Sequence, residues 1–169
     1  MTKPKLYIVT GLPYAGKTVL SRELVRRFGF GYASVDAEID KGSYDITKMV
    51  QHDWDDVYTR AFDKLEALLQ SGTTTVFDGA SLQKSQRQML REIAVKCGAE
   101  PVLIYVNTPY EEITRRRVAN MTTRQRGHLE DASMNDALAM FEEPAPDEKP
   151  VIYHANLDLN NWINTYIGD

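Results

Sequence analysis

The run Gly11-Leu12-Pro13-Tyr14-Ala15-Gly16-Lys17-Thr18 fits the pattern GxxxxGK[ST] at every fixed position. Its flanks decide what that means. Before it, Leu6-Tyr7-Ile8-Val9-Thr10 is apolar and carries β-branched residues, the composition of a buried strand. After it, the stretch from Val19 to Phe28 places its apolar residues at helical spacing. Strand, glycine loop and helix in that order make an anion cradle, because glycines let successive N–H groups converge and the helix N-terminus adds partial positive charge. Gly11, Leu12, Pro13, Tyr14, Ala15, Gly16, Lys17, Thr18 and Val19 are therefore read as a phosphate-binding loop. Lys17 is expected to reach the β- and γ-phosphates of a nucleotide, and the Thr18 hydroxyl to serve as a Mg²⁺ ligand. A chance glycine turn with a solvated lysine would not need these flanks.

The chain has 169 residues, which predicts one domain spanning residues 1–169. Its net charge of −4 argues against a molecule built as a whole to trap nucleic acid. The single cysteine, Cys97, has no internal disulfide partner, and its place in Ala94-Val95-Lys96-Cys97-Gly98 reads as a helix end. Met1-Thr2-Lys3-Pro4-Lys5 shows no apolar leader core, and no apolar run is long enough for a bilayer. The expectation is a cytoplasmic protein with no membrane partner, its oligomeric state unread.

Strands and helices alternate along the chain. A second strand is expected over 30–35, ending at Asp36, then a loop over residues 40–50. A helix fits about 52–71, with Val57, Ala61, Leu65, Leu68 and Leu69 on one face and Gly72 as its stop. Strands over 73–78 and 101–106 flank a helix over 85–96, and another helix begins near Pro109. Met121 to Ser133 is polar and aperiodic, and reads as a connector or short lid (about 115–133 with the arginines before it). A helical stretch over 137–141, a fifth strand over 151–154 and a last helix around 162–167 complete the chain. Repeated βα units predict an α/β fold with a five-stranded parallel sheet, helices on both faces and right-handed crossovers.

In such a sheet, ligands sit at the carboxyl ends of the strands, where Asp36 and Asp78 fall. Asp78 is expected to hold Mg²⁺ with Thr18, directly or through water, against the alternative of a plain Asp-Gly turn. Asp36 is placed to orient or deprotonate an attacking hydroxyl, against the alternative of a helix cap. Arg115-Arg116-Arg117, with Arg124 and Arg126, concentrates positive charge in an acidic chain. Successive helical residues point about 100° apart, so one or two of the five reach a nucleotide. Arg116 and Arg124 are the expected ones. His52, His128 and His154 share no ligand spacing, and Tyr44, Trp54 and Tyr58 read as packed aromatics before they read as a substrate pocket.

Together these residues resemble the small P-loop kinases related to polynucleotide kinase, zeta toxins and chloramphenicol phosphotransferase. The resemblance rests on the loop at 11–18, on Asp36 after strand two, and on Val76-Phe77-Asp78-Gly79-Ala80. Trp54 to Gly72 and Phe141-Glu142-Glu143-Pro144 extend it over nearly the whole chain. It implies the P-loop NTPase fold with an arginine-bearing lid that closes over ATP. The chain departs from polynucleotide kinases at Ile39 and Asn120, where that group carries arginines. The first departure weakens a nucleic-acid 5′-hydroxyl acceptor, and the second leaves Arg124 or Arg126 to supply the charge. Asp78-Gly79 is closer to the Asp-Gly of adenylate kinases.

The expected function is an ATP- and Mg²⁺-dependent kinase acting on a hydroxyl of a small molecule or nucleotide. Its catalytic residues would be Lys17, Asp36, Arg116 and Arg124, and its metal residues Thr18 and Asp78. The alternatives are a nucleic-acid 5′-hydroxyl kinase and a nucleotide-dependent regulatory ATPase. No guanine-reading [NT]-K-x-D follows strand four, where Asn107-Thr108-Pro109-Tyr110 stands, so ATP is preferred to GTP.

Overall fold

The first strand, buried on both faces, organises everything around it. The computed structural model of the chain describes residues 2–168. Its elements are β1 (Lys5–Thr10), α1 (Lys17–Phe28), β2 (Gly31–Ser34), α2 (Val35–Gly42), α3 (Gln51–Gln70), β3 (Thr75–Asp78) and α4 (Lys84–Lys96). Then come β4 (Glu100–Asn107), α5 (Tyr110–Thr123), α6 (Asp131–Met140), β5 (Val151–His154) and α7 (Leu159–Tyr166). The five strands are all parallel, in the order β2-β3-β1-β4-β5.

Because side chains alternate across a strand, β1 serves both faces of the sheet. Leu6 and Ile8 enter a core with Val57, Ala61 and Leu65 of α3 and Leu90 of α4. Tyr7 and Val9 enter a second core with Leu20 and Leu24 of α1, Ile113 of α5 and Trp162 and Ile163 of α7. Two buried cores on one sheet give the three-layer P-loop NTPase architecture expected from the sequence.

One expectation fails locally. The second strand stops at Ser34, and residues 35–42 form α2 where the end of a strand and the start of a loop were expected. Ser34 caps the helix, its Oγ accepting from the Ala37 N–H at 3.3 Å, and Asp36 and Glu38 place negative charge in the first turn. A turn of 3₁₀ helix at Ile46–Lys48 interrupts the rest of the expected loop. The polar connector is also more ordered than its composition suggests: α5 runs to Thr123 and α6 starts at Asp131. Among the described residues, no helix is long and apolar enough to cross a membrane.

A buried ion pair fixes the loop that follows β3. Arg87, fully buried on α4, donates through Nε and Nη2 to both carboxylate oxygens of Glu148 at 2.8 and 3.0 Å. Its Nη1 donates to the carbonyls of Ser81 and Leu82. Arg91 and the Ala145 N–H complete the shell around Glu148. The bond to Arg87 is the main reason that the Glu148 carboxyl is held down at about 2. A carboxylate depressed in the fold stabilises above its ordinary pKa and loses that stabilisation as pH falls through the folded value. Glu148→Gln should therefore cost about 3 kcal/mol at pH 7. In denaturant titrations its deficit against the natural chain should shrink as pH drops below about 4.5 towards 2. A deficit independent of pH would contradict the ionic reading.

Candidate active site

Three neighbouring strands end at one level. Ser34 and Val9 both stand opposite Asp78 in the sheet register. The carboxyl ends of β2, β3 and β1 thus deliver Asp36, Asp78 and the loop at 11–18 to one place, beside the point where the chain switches direction across the sheet.

The loop's shape requires its glycines at two positions. Gly11 has φ +153°, and a Cβ there would stand 2.7 Å from the Val106 carbonyl oxygen of β4. Gly16, at φ +105°, forms the left-handed entry to α1, and a Cβ there would meet Arg116 Nη1 at 3.3 Å. Lys17 starts the helix, and its ammonium donates to the Gly11 and Leu12 carbonyls at 2.8 and 3.0 Å. Burial pushes its pKa down to about 8, opposed by the negative charge of Asp78 and, more weakly, of Asp36.

Asp78 is 4% exposed, and its Oδ2 accepts from Thr18 Oγ1 at 2.9 Å and from the Tyr32 hydroxyl at 3.1 Å. Both donors converge on one oxygen. This hard oxygen set, a hydroxyl and a carboxylate beside a phosphate loop, suits Mg²⁺. Burial and the Asp78 charge push the Tyr32 phenol well above its ordinary range, so it remains a donor at neutral pH. Asp36 lies in the first turn of α2 rather than on the strand end, at an exposed position. The protein surrounding it, and then the charge of Asp78, raise its pKa, while Arg126 and Lys17 pull the other way.

The lid arginines separate by partner. Arg115 is exposed and tied to Glu112 at 2.7 Å. Arg116 bonds Glu112 through Nε, and its Nη1 donates to the Tyr14 and Ala15 carbonyls at 3.1 and 3.0 Å. Arg117 turns the other way, to the Leu129 carbonyl and Asp131. Arg126 lies over the Tyr14 ring, 4.4 Å from guanidinium carbon to ring centroid. Arg124 caps α5 in a left-handed conformation at an exposed position, and its side chain joins none of the bonds between lid and loop. The structure thus brings Arg116 and Arg126 to the loop, where the sequence pointed to Arg116 and Arg124. It also adds Tyr32, and it gives the side chain of Tyr14, read in the sequence only as part of the loop, a contact with the lid that no spacing signalled.

The aromatics of α3 pack as the sequence favoured. Trp54, Tyr58, Phe62 and Phe77 form a ladder with ring centroids 6.5, 6.0 and 5.7 Å apart. Burial and the charge of Asp36 raise the Tyr58 phenol above its ordinary value. Among the described residues, no group of three or more His, Cys, Asp or Glu could hold a metal by itself.

Comparison with known proteins agrees with this fold. Residues 6–144 match a family model described as an AAA domain. Among curated proteins, no sequence matches. A sugar kinase from Janibacter sp. HTCC2649 shares the fold at a TM-score of 0.69 and 18% identity, over 96% of this chain and 91% of that one. The APS kinase CysC of Mycobacterium tuberculosis, in complex with AMPPNP and APS, aligns at a TM-score of 0.67 and 16% identity, over 99% and 97%. Chaetomium thermophilum Kti12, in complex with ADP-AlF3, aligns at a TM-score of 0.70 and 18% identity, over 95% and 96%.

Proposed function

The chain belongs to the AAA domain family, and on that premise we propose that it is an ATP- and Mg²⁺-dependent kinase, transferring the γ-phosphoryl group to a hydroxyl of a small molecule or nucleotide. The observation that carries this reading is a second carboxylate. Asp78 is occupied by Thr18 and Tyr32, whereas Asp36 takes neither donor and stands in the first turn of α2, just beyond the adjacent strand, where its charge acts on Lys17. A site that only bound or slowly hydrolysed nucleotide would need the first carboxylate and not the second. The adenine nucleotides in the APS kinase and Kti12 structures support ATP as the donor.

The roles follow from placement. The loop amides and Lys17 bind the β- and γ-phosphates. Thr18 and Asp78 would hold Mg²⁺, which when bound neutralises phosphate charge and orients the oxygens. Asp36 takes the proton of the acceptor hydroxyl as its oxygen bonds the γ-phosphorus and the bond to the β-γ bridging oxygen breaks, releasing ADP. Arg116 and Arg126 meet the charge spread over the transferred group, and the lid they sit on excludes water. The single domain over residues 1–169, with a lid at about 115–133, is part of the same proposal.

The test is a transfer screen with γ-labelled ATP over sugars, nucleosides, amino alcohols and 5′-hydroxyl oligonucleotides. Label recovered in a small-molecule ester supports the proposal. Label recovered only on oligonucleotide ends moves the acceptor class to nucleic acid, and label recovered only as inorganic phosphate overturns the kinase reading.

A further inference from the structure

Tyr14 occupies the fourth position of the phosphate loop and is the most connected residue between the loop and the lid. Its backbone has φ +65°, a conformation that bulky residues avoid unless the surrounding structure imposes it. The residue is 7% exposed, and its ring lies under the Arg126 guanidinium at 4.4 Å. Its hydroxyl oxygen accepts from the Leu129 N–H at 3.0 Å, and its carbonyl accepts from Arg116. From the lid side, buried Asn120 brackets the backbone of Arg126. Asn120 Nδ2 donates to the Arg126 carbonyl at 3.1 Å, and Asn120 Oδ1 accepts from the Arg126 N–H at 3.2 Å.

We propose that Tyr14 and Asn120 are positioning residues that together hold the Arg126 guanidinium over the phosphate loop, ready for the charge that develops on the transferred phosphoryl group. This rests on the reading of the site as one for phosphoryl transfer. The chemistry of the partner is the reason. Arg115, Arg116 and Arg117 each face a carboxylate, which offsets their charge and holds them to it. An aromatic face instead attracts the cation without neutralising it, so Arg126 keeps its whole charge and, with only Nε donating to the Gly127 carbonyl, the N–H donors of both terminal nitrogens for phosphate. Asn120 stands where polynucleotide kinases carry a lid-helix arginine. Here that position holds the backbone of the arginine that replaces it.

The experiment compares the affinities for ADP and for ADP with aluminium fluoride, a planar mimic of the transferred group, by calorimetry in Mg²⁺ buffer. The quantity read is the ratio of the two, so any loss of plain ADP binding cancels. The natural chain should bind the fluoride complex more tightly than ADP. Tyr14→Leu should reduce that gain about tenfold, Tyr14→Phe should keep it, and Asn120→Ala should reduce it as Tyr14→Leu does. Arg126→Ala should lose the gain, and adding Tyr14→Leu to it should remove nothing more. A full gain in Tyr14→Leu and Asn120→Ala, or additive losses in the double variant, would overturn the proposal. Should Tyr14→Leu not fold, Asn120→Ala carries the same test. A natural chain that shows no gain overturns the phosphoryl-transfer reading, and this inference with it.

Discussion

Lys17→Ala should lower phosphoryl transfer by about a thousandfold while leaving a protein at least as stable as the natural one. The two halves of that expectation have one cause. The Lys17 ammonium is enclosed by its own loop, bonded to the Gly11 and Leu12 carbonyls, and burial pushes its pKa down to about 8. A lysine whose folded pKa lies below its ordinary 10.5 is penalised in the fold at neutral pH. The unfolded chain binds the extra proton between pH 8 and 10.5, so this group makes stability rise with pH across that window. Its removal at pH 7 relieves roughly 2 kcal/mol of strain, discounted for partial exposure, and removes no core contact. Function gives the strained charge its use. Nucleotide phosphates draw the proton back, so ATP binding should weaken as pH rises through about 8, and Lys17→Ala should lose that dependence. Thermal unfolding, ATP titration at several pH values and transfer rates check the three parts. Unchanged turnover in Lys17→Ala would remove the residue from the chemistry.

Asp36→Asn should reduce transfer by about 10² to 10⁴, with the loss confined to the chemical step. The carboxylate is not engaged with Thr18 or Tyr32, which both go to Asp78, so ATP affinity should survive the change. A base must be unprotonated to work, and the Asp36 pKa is raised by its surroundings and by Asp78. Transfer should therefore fall on the acid side, with an inflection raised from the ordinary aspartate value. That acid limb should vanish in Asp36→Asn. Pre-steady-state rates with saturating ATP separate the outcomes. Weakened ATP binding with an intact chemical step would place Asp36 in the nucleotide site instead.

What the sequence discloses depends on how local the determinant is. The loop at 11–18 is legible because its glycines, lysine and threonine act within eight consecutive positions flanked by periodic segments. The layers are legible because β1 alternates between two cores and α3 buries Val57, Ala61, Leu65 and Leu69 at a helical spacing. Asp36 and Asp78 could be found from the rule for strand ends, although α2 begins before Asp36. Its eight residues are too short for periodicity to outweigh the glycine, serine and aspartate around it. Of the two lid arginines expected at the loop, Arg116 stands there and Arg126 stands in place of Arg124. Which of Arg115, Arg116 and Arg117 faces the loop depends on the rotation of α5 about its axis, which tertiary contact sets. Arg126 over Tyr14 depends on a left-handed backbone at a residue whose type disfavours it, and on a bracket from Asn120. No local preference in the sequence predicts either feature.

In the function proposed, the second carboxylate and the arginine lid serve transfer to an acceptor and not to water. The direct measurement is the fate of the γ-phosphoryl in ¹⁸O-enriched water, followed by ³¹P spectroscopy with an acceptor from the screen present. A kinase should yield ADP and a phosphate ester in equal amounts, the ester carrying no oxygen from the solvent. Inorganic phosphate labelled with solvent oxygen, formed at the same rate with or without acceptor, would contradict the account.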